Sequence, residues 1–357
     1  MSAESVLKVA IASFAHGHAA GYLSALTAMP GVELLTADPD GATAPDAGPR
    51  GAEFAARHGV NYVDSYDELF AWKPDAVVVT SENSRHRELV ERAARAGVHV
   101  LCEKPLATEV ADGKAMVDAC ANAGAILMIA YPVRFSPTFT VLREHLDAGR
   151  LGEVFAINGT NNGKMPIDSR QWFTDRQLAG GGALVDHVGH CADLIDVITG
   201  GARASSVYAV SNGILHADKG VDVETGGLVT ITYPSGLIAT IDCSWSQPDT
   251  APTWGGLTLQ ATGTKGSVEI EPFAEHVAGM GVDGEIFLDF GTDLNSLLLA
   301  EFLAAVRQSG PARAGGAPRV VPQPDGAVGL RTLEIMDAAR RSVETRQPVV
   351  LMAGRAT

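Results

Sequence analysis

Hydrophobic residues in the first part of the chain form short continuous runs, at residues 7–12, 32–37, 75–80, 98–102 and 126–129. Runs of this length are typical of strands that are buried on both faces of a parallel sheet. Stretches with helical spacing separate the runs, so strands and helices alternate along the chain. This alternation predicts an α/β fold with a doubly wound parallel sheet over residues 1–131. Ligands of such sheets bind at the carboxyl ends of the strands.

The second half has a different pattern, in which apolar and polar residues alternate over longer segments. Strands are predicted at residues 154–158, 205–211, 227–233, 237–246, 257–262 and 267–270. Helices are predicted at residues 137–148, 184–198, 295–308 and 327–345, whereas residues 163–179 are polar and loop-like. We therefore expect residues 132–357 to form an α+β domain with a large, mostly antiparallel sheet, which binds substrate. Because such strands need cover, the open face of this sheet predicts a homo-oligomer, either a dimer or a tetramer.

Composition excludes several classes of function. The formal net charge of the 357 residues is -15, so the chain has no basic surplus to neutralise phosphates, and nucleic acid is not an expected partner. The chain contains no apolar run long enough to span a membrane. The amino-terminal residues lack the charged region of a secretion signal. The four cysteines are scattered without a C-x-x-C pair, and we expect reduced thiols in a cytoplasmic protein.

The turn after the first strand lies where a dinucleotide-binding loop carries its G-x-G-x-x-G fingerprint. Ser13, Ala15 and His18 occupy the three glycine positions. Small residues at 13 and 15 still allow a pyrophosphate to approach the backbone and the start of the helix. Ser13, Phe14, Ala15 and His16 are therefore candidate cofactor contacts. His18 is a candidate substrate contact, with packing between helix and sheet as the alternative.

Asp38 ends the second strand, where an acid in a dinucleotide site binds the ribose hydroxyls of NAD. An acid at this position repels a 2′-phosphate, so NAD is the expected cofactor and NADP is less favoured. The alternative is a solvated turn residue, because Pro39, Asp40 and Gly41 follow.

Residues 180–190 begin with three glycines, which are followed by the start of an apolar helix. Asp186 and His190 are four residues apart and therefore share one face of that helix. An acid one turn from a histidine suits a proton-transfer group. The alternative is a capped helix in which the histidine is only packed. His187 lies about 100° around the helix from Asp186 and is a bystander or a substrate contact.

Glu103, Lys104 and Pro105 follow a strand at the carboxyl edge of the sheet. A lysine cation at this edge would stabilise an oxygen that develops negative charge. It would also lower the pKa of a neighbouring acid or imidazole. The alternative is a surface lysine in a turn.

Four segments together resemble the Gfo/Idh/MocA oxidoreductases, the family of glucose-fructose oxidoreductase and inositol dehydrogenase. Residues 103–107 resemble its E-K-P signature and residues 80–86 its T-P-N-x-x-H loop. Residues 180–190 resemble its G-G-G-x-L-x-D-x-G-x-H run, and residues 338–345 its closing helix. The first turn departs most, because its glycines are missing. Smaller departures are Ser81 with an extra residue in the second segment, and an extra residue before Gly189 in the third.

The resemblance implies a Rossmann-type first domain and NAD(P)-dependent hydride transfer at a carbinol carbon of a sugar or polyol. It places Lys104, Asp186 and His190 at catalytic positions. We expect His190 to accept the hydroxyl proton and Lys104 to hold the charge on the oxygen. Asp186 would orient either the substrate or His190.

The remaining candidates have weaker support. Five residues are expected beside the cofactor: Thr80, Asn83, His86, Glu103 and Lys104. His86 could equally cap a helix start. Arg134 is a candidate substrate contact, with an interdomain salt bridge as the alternative. Trp172 could stack on a sugar face or pack in the core.

Three other interpretations remain open. The first is a metal site formed by His16, His18, Asp186, His187 and His190, but no motif fixes its ligands and no metal is expected. The second is transient use of a tightly held NAD to cleave a glycoside. The third is a non-catalytic sugar or dinucleotide sensor, which would not need a proton-transfer set.

Overall fold

The chain forms two compact units in its computed structural model, which describes residues 6–42, 44, 48–168, 170–282 and 284–351. The first unit comprises Met1–Tyr131, Pro166–Gly180 and Asn295–Leu333, and the second comprises Pro132–Met165, Gly181–Leu294 and Glu334–Thr357. The amino-terminal residues on which the absence of a secretion signal was predicted lie outside the described part.

The predicted two-way division differs from these units in two segments. Residues 166–180 and 295–333 were assigned to the second domain, but they belong to the first unit. Backbone groups of the first 131 residues account for this placement. The Trp172 indole N–H donates to the Ala15 carbonyl, and the Ile129 N–H donates to the Pro324 carbonyl. Periodicity is a local property of sequence, and it carries no information about such distant pairings.

The first unit contains five parallel strands: β1 (Leu7–Ala12), β2 (Val32–Ala37), β3 (Ala76–Val79), β4 (His99–Cys102) and β5 (Leu127–Ile129). Their order in the sheet is β2-β1-β3-β4-β5. The intervening helices are α1 (Ala19–Ala28), α2 (Gly51–His58), α3 (Tyr66–Ala71), α4 (His86–Arg95) and α5 (Val110–Ala123). Every residue of β3, β4 and β5 is buried. The predicted doubly wound α/β sheet is confirmed.

The second unit begins with α6 (Pro137–Asp147) and is built on a seven-stranded sheet. Six of its strands are β6 (Val154–Gly163), β7 (Ser206–Asn212), β8 (Gly226–Thr232), β9 (Ile238–Ser244), β10 (Gly255–Gly263) and β11 (Gly266–Ile270). With the terminal strand Val349–Val350 beside β7, the order is β11-β10-β6-β9-β8-β7-terminal strand. Only the β6–β9 pair within this sheet is parallel. The prediction of a mostly antiparallel sheet is confirmed.

The helix over residues 183–198 packs on this sheet and positions the glycine-rich segment. It follows the short helix α7 (Arg176–Ala179) and is α8 (Ala183–Ile198). A Cβ on Gly159 of β6 would lie 3.0 Å from the Cys191 Sγ, so glycine allows helix and sheet to approach closely. At the start of α8, the Glu224 carboxylate accepts hydrogen bonds from the N–H groups of Gly182 and Leu184. This contact satisfies free donors at the helix end.

Two segments differ from the prediction. Residues 163–179 contain short helical turns rather than a plain loop, and the Asp175 carboxylate caps α7 by accepting from the Gln177 and Leu178 N–H groups. An unpredicted hairpin pairs β12 (His276–Gly281) with β13 (Gly284–Asp289). The terminal strand is β14 (Val349–Val350), and the long C-terminal helices are α9 (Leu294–Ser309) and α10 (Gly326–Thr345). No helix in the described ranges is long and apolar enough to cross a membrane.

Candidate functional site

The first turn begins with a glycine-like backbone at a serine. Ser13 has a φ of 75°, in the left-handed region that favours glycine. Its hydroxyl donates to Asp38 Oδ1 at 3.2 Å and accepts from the Ala15 N–H at 3.2 Å, and the Thr80 hydroxyl donates to the Ser13 carbonyl at 2.6 Å. Hydrogen bonds of Ser13, Asp38 and Thr80 therefore stabilise a backbone conformation that the G-x-G-x-x-G loop obtains from glycine. The Phe14 side chain is fully buried against Phe54, so only its backbone faces the turn.

Asp38 lies at the end of β2 but is not a solvated turn residue. Its side chain is fully buried and forms a two-pronged ion pair with Arg50, with Nε to Oδ2 at 2.7 Å and Nη2 to Oδ1 at 2.8 Å. The Gly51 N–H donates to Oδ2 at 2.9 Å. Burial alone would raise the pKa of Asp38, but the Arg50 and backbone hydrogen bonds outweigh it and lower the pKa. Asp38 is therefore ionised, and its charge is already paired with the Arg50 guanidinium.

Glu103 is a buried carboxylate surrounded by donors. Its Oε1 accepts from the Tyr22 hydroxyl at 2.7 Å and lies 2.9 Å from His18 Nδ1. Its Oε2 accepts from the Lys104 N–H at 3.0 Å and lies 3.8 Å from His16 Nε2. Burial opposes ionisation, but His16, His18 and Lys104 together hold the pKa of Glu103 well below its usual range. Glu103 therefore ties α1 and the first turn to the E-K-P segment.

The ligand atoms of His16, His18 and Glu103 lie within 4.8 Å of one another, which makes this the group in the described ranges that could hold a metal ion. It is not the predicted metal set, which joined the first two histidines to Asp186, His187 and His190. The His18 N–H donates to His16 Nδ1 at 3.2 Å, so a neutral His16 carries its proton on Nε2, which faces Glu103. A metal ligand must give up that proton. The contacts favour a carboxylate satisfied by protein donors.

The E-K-P turn is supported from a second side by His86. Lys104 follows β4 and is 4% exposed, so it is not the surface lysine of the alternative interpretation. His86 Nδ1 lies 3.0 Å from the Pro105 carbonyl oxygen, and His86 Nε2 lies 3.3 Å from the Ser81 carbonyl oxygen. Burial lowers the pKa of His86, which favours the neutral imidazole. Asn83 donates from its amide to the Ala179 carbonyl at 2.9 Å.

Trp172 lies against the first turn. It is 1% exposed, and its indole N–H donates to the Ala15 carbonyl at 2.9 Å. Its ring stacks on Phe173, with 3.9 Å between centroids, and His16 packs on Phe173 at 5.3 Å. Of the two alternatives for this tryptophan, the structure places it in the packed core, where it has no exposed face for a sugar. Its hydrogen bond helps to fix the turn.

In the second unit, the structure brings Asp186 and His187 together. His187 Nε2 lies 3.5 Å from Asp186 Oδ2, and both side chains are buried. The Trp245 indole N–H donates to the same Oδ2 at 3.1 Å. The Asn161 amide donates to the His187 carbonyl at 3.1 Å. His190, one turn further along α8, is half-buried. His187 is therefore a neighbour of the acid, although it lies off the shared helix face.

Arg134 is engaged within the second unit. Its guanidinium forms a two-pronged ion pair with Asp193 on α8, with Nε to Oδ2 at 3.0 Å and a shorter contact from Nη2 to Oδ1. Arg134 is 8% exposed and Asp193 is fully buried. Burial raises the pKa of Asp193 to about 6, against the lowering effect of Arg134. The ion pair of the alternative interpretation is present, but both partners belong to one unit.

Sequence reasoning missed three residues that support these sites: Arg50, Tyr22 and Trp245. Arg50 lies 12 residues beyond Asp38, and Trp245 lies 59 residues beyond Asp186. No motif spacing links either pair. For Tyr22, a weak signal was available, because it lies one turn from His18 on a predicted helix.

The described residues fit a bound dinucleotide. A pyrophosphate requires a tight, glycine-like turn before a helix, and Ser13 supplies that backbone conformation. A ribose requires a polar group after β2, and the Asp38–Arg50 pair lies there. Asn83 contributes a further buried amide, whose Oδ1 has no hydrogen-bond partner in the described part.

Comparisons with known proteins agree with this fit. Residues 36–131 match the family model described as an oxidoreductase family with an NAD-binding Rossmann fold, and residues 139–269 match the GFO/IDH/MocA C-terminal domain. A 1,5-anhydro-D-fructose reductase of Ensifer adhaerens is 34% identical over 53% of this chain and 57% of its own. A D-xylose 1-dehydrogenase (NADP(+)) of Haloferax volcanii is 29% identical over 80% of this chain and 84% of its own.

Solved structures extend the likeness to nearly the whole fold. GenD2 from gentamicin A biosynthesis, in complex with NAD, has a TM-score of 0.83 over 98% of this chain and 97% of its own, at 24% identity. The match to the 1,5-anhydro-D-fructose reductase spans little more than half of that protein's length. The two family models together cover more than half of the chain, and the chain belongs to the Gfo/Idh/MocA oxidoreductase family.

Proposed function

We propose that the protein is an NAD(P)-dependent dehydrogenase that acts on a CH–OH group of a sugar, a polyol or a sugar derivative. The observation that carries the proposal is the buried Lys104 at the carboxyl end of β4. The turn around it is held by Glu103 on one side and by His86 on the other. Burying a lysine is costly unless its charge is used or compensated. The relatives named above act on sugars, which supports this substrate class.

Bound NAD(P) supplies the hydride acceptor, or the donor in the reverse direction. In this proposal, Lys104 donates to the substrate oxygen and stabilises its developing negative charge. His190 takes the hydroxyl proton on its neutral imidazole, a role that requires a pKa near the working pH. Asp186, fixed by the Trp245 indole, orients the substrate or an imidazole. Glu103 remains ionised and holds the turn that carries Lys104.

The other predicted contacts follow from their positions. Ser13, Phe14, Ala15 and His16 would face the cofactor through the first turn, together with Asp38, Thr80, Asn83, His86 and Glu103. His18 and His187 would approach the substrate. Arg134 and Trp172 would act by holding their neighbours, because both are engaged and buried.

The test is a panel of sugars and polyols with NAD and NADP, followed by the absorbance of the reduced cofactor. We expect turnover of at least one substrate. Lys104→Ala and His190→Ala should each lose about 100-fold or more in turnover, while NADH affinity stays within about threefold. Lys114→Ala, at an exposed lysine on α5, is the matched control and should behave as wild type.

Four results would contradict the proposal. Glycoside cleavage without net NADH would indicate transient use of the cofactor. Sugar or dinucleotide binding without turnover across the panel would indicate a sensor. Near-normal turnover by His190→Ala would remove that residue as the base. Stoichiometric zinc in the purified protein would contradict the assignment of no metal.

We also propose a cytoplasmic homo-oligomer that binds no nucleic acid. Four free, buried cysteines support a reducing compartment, and the net charge of -15 opposes binding to phosphates. Cell fractionation that places the protein outside the cytoplasm, or retention on nucleic acid at low salt, would contradict these assignments.

A further inference from the structure

The negative charges of the acids after β2 are paired with arginines. Asp38 forms an ion pair with Arg50, whose side chain is 3% exposed. Asp40, two residues on, forms an ion pair with Arg85. Arg50 Nη1 also lies 3.6 Å from Glu82 Oε1. Two arginines are therefore placed among the acids that would meet the ribose end of a dinucleotide, whereas the expectation that NADP is less favoured took account of Asp38 alone.

The hydrogen-bonding capacity of Asp38 is also used up. An ionised carboxylate offers about four lone-pair sites. Four donors already occupy them: Arg50 Nε, Arg50 Nη2, the Gly51 N–H and the Ser13 hydroxyl. A ribose hydroxyl that approaches this carboxylate competes with the guanidinium. Arg50 therefore lowers what Asp38 gains from a free 2′-hydroxyl.

Local backbone geometry supports the pair specifically. Arg50 is the residue immediately before α2, and a Cβ on Gly41 would lie 2.6 Å from both the Arg50 Cβ and Asp38 Oδ2. Only a glycine at position 41 leaves room for the two side chains to meet. The fold thus accommodates this ion pair at the expense of a side chain at position 41.

We propose that Arg50 sets the nucleotide specificity of this protein. By neutralising Asp38 and occupying its oxygens, the guanidinium allows a cofactor with a 2′-phosphate to bind alongside NAD, with little discrimination between the two. The inference rests on the proposed dinucleotide function. It assigns the choice of cofactor to the Arg50–Asp38 pair rather than to the acid alone.

The test is a fluorescence titration of wild-type protein and Arg50→Gln with NADH and NADPH. For wild type, the two dissociation constants should lie within about tenfold of each other, because the charge of Asp38 is compensated. In Arg50→Gln, the unpaired carboxylate should repel the 2′-phosphate and accept ribose hydroxyls. We expect the NADPH constant to rise at least tenfold relative to the NADH constant, with NADH binding as tightly as before or more tightly.

Arg57→Gln is the matched control, because Arg57 lies on α2 and pairs only at the surface with Glu53. It should leave both constants unchanged. If Arg50→Gln fails to fold, Asp38→Asn with Arg50 intact tests the same assignment, and should favour NADPH at least tenfold relative to wild type. The double variant Arg50→Gln with Asp38→Asn removes both charges and should return the ratio towards that of wild type.

The outcomes distinguish a failure of the proposed dinucleotide function from a failure of the role assigned to Arg50. Wild-type protein that binds neither cofactor would overturn the dinucleotide function and this inference with it. Wild-type binding with equal weakening of both cofactors in Arg50→Gln would make Arg50 a structural residue and overturn only the inference. An unchanged ratio in Asp38→Asn would have the same meaning.

Discussion

At the scale of single residues, Glu103 shows how one buried carboxylate organises a site. The family signature predicted a role beside the cofactor. The structure surrounds this side chain with Tyr22, His18, His16 and the Lys104 N–H, and the first three lie more than 80 residues away in sequence. Its role is to hold Lys104 and the first turn at the same edge of the sheet. A charged acceptor suits that role, because charge-assisted hydrogen bonds are stronger than neutral ones.

Glu103→Gln should lower the free energy of unfolding at pH 7 by about 2 kcal/mol, because an amide N–H₂ replaces a carboxylate oxygen that accepts from the Tyr22 hydroxyl, His18 or the Lys104 N–H. The pH dependence has a definite sign. An unfolded glutamate has a pKa of about 4.3, and the folded value lies below it, so the unfolded state binds more protons between the two values. Wild-type stability should therefore fall as pH drops below about 4.

Urea unfolding across pH 2–7 checks this. The difference between wild type and Glu103→Gln should shrink on acidification, since the variant has no carboxylate to protonate at this position. Glu109→Gln, at an exposed position on the same loop, is the control and should follow wild type. A constant difference at all pH values would show that the pKa of Glu103 is the same in the folded and unfolded states, and a difference that grows on acidification would show that the fold holds the neutral acid.

At the scale of elements, the entry to α8 depends on backbone space rather than on side-chain chemistry. Gly182 precedes the helix with φ -109° and ψ -126°, and a Cβ there would lie 2.0 Å from the Glu224 carbonyl oxygen. The Glu224 carboxylate also accepts hydrogen bonds from the Gly182 and Leu184 N–H groups at the start of α8. Close contact with the Glu224 carbonyl thus explains the last glycine of the family's glycine run, Gly182.

Gly182→Ala should destabilise the protein by about 3 kcal/mol through overlap with a backbone oxygen that has little freedom to move. Gly213→Ala in the same unit is the control, because an added Cβ there meets nothing within 4 Å. Thermal or urea unfolding of both variants measures the contrast. Equal stabilities would mean that the contact at residue 224 relaxes without cost.

Prediction from sequence succeeds where the signal lies in neighbouring residues and fails where a feature depends on residues that are distant in the chain. Strands β1 and β2 were predicted at their observed bounds, because continuous apolar runs are local signals. The hairpin β12–β13 was missed, since its sequence is rich in glycine and its apolar residues are largely exposed. Asp38 was predicted correctly as the residue that ends β2, but Arg50 lies beyond an intervening loop, and spacing alone does not identify it.

At the scale of the whole molecule, the open face of the seven-stranded sheet carries apolar and polar side chains in separate areas. Exposed apolar residues cluster on β7, β8 and β9, with Tyr208, Val210, Leu228 and Ile238 each more than 40% exposed. Val210 and Leu228 are direct cross-strand partners. Over β6 and β10, hydrogen-bonded hydroxyls such as Thr160 and Thr258 occupy the face. The open face is therefore apolar over β7, β8 and β9 and polar over β6 and β10.

We predict that this apolar area joins copies of the chain. Light scattering of the wild-type protein should give a dimer or a tetramer, and Leu228→Glu should shift it towards monomer without loss of circular dichroism. Val321→Glu, at an exposed apolar residue of the first unit, is the control and should leave the mass unchanged. A monomeric wild type, or a Leu228→Glu variant of unchanged mass, would contradict the prediction.

The discontinuous make-up of the first unit has a consequence for the way the chain is synthesised. β5 ends at Ile129, yet its edge is closed by residues around Pro324, and the Tyr131 hydroxyl meets the Thr332 hydroxyl. The His99 ring meets the Gly310 carbonyl at 2.8 Å. A ribosome releases all five strands of this sheet long before the segments that cover it. The β5 edge of the nascent sheet therefore stays unpaired until residues 324 and 325 have emerged, and a gene fragment that stops at codon 131 encodes the strands without their cover.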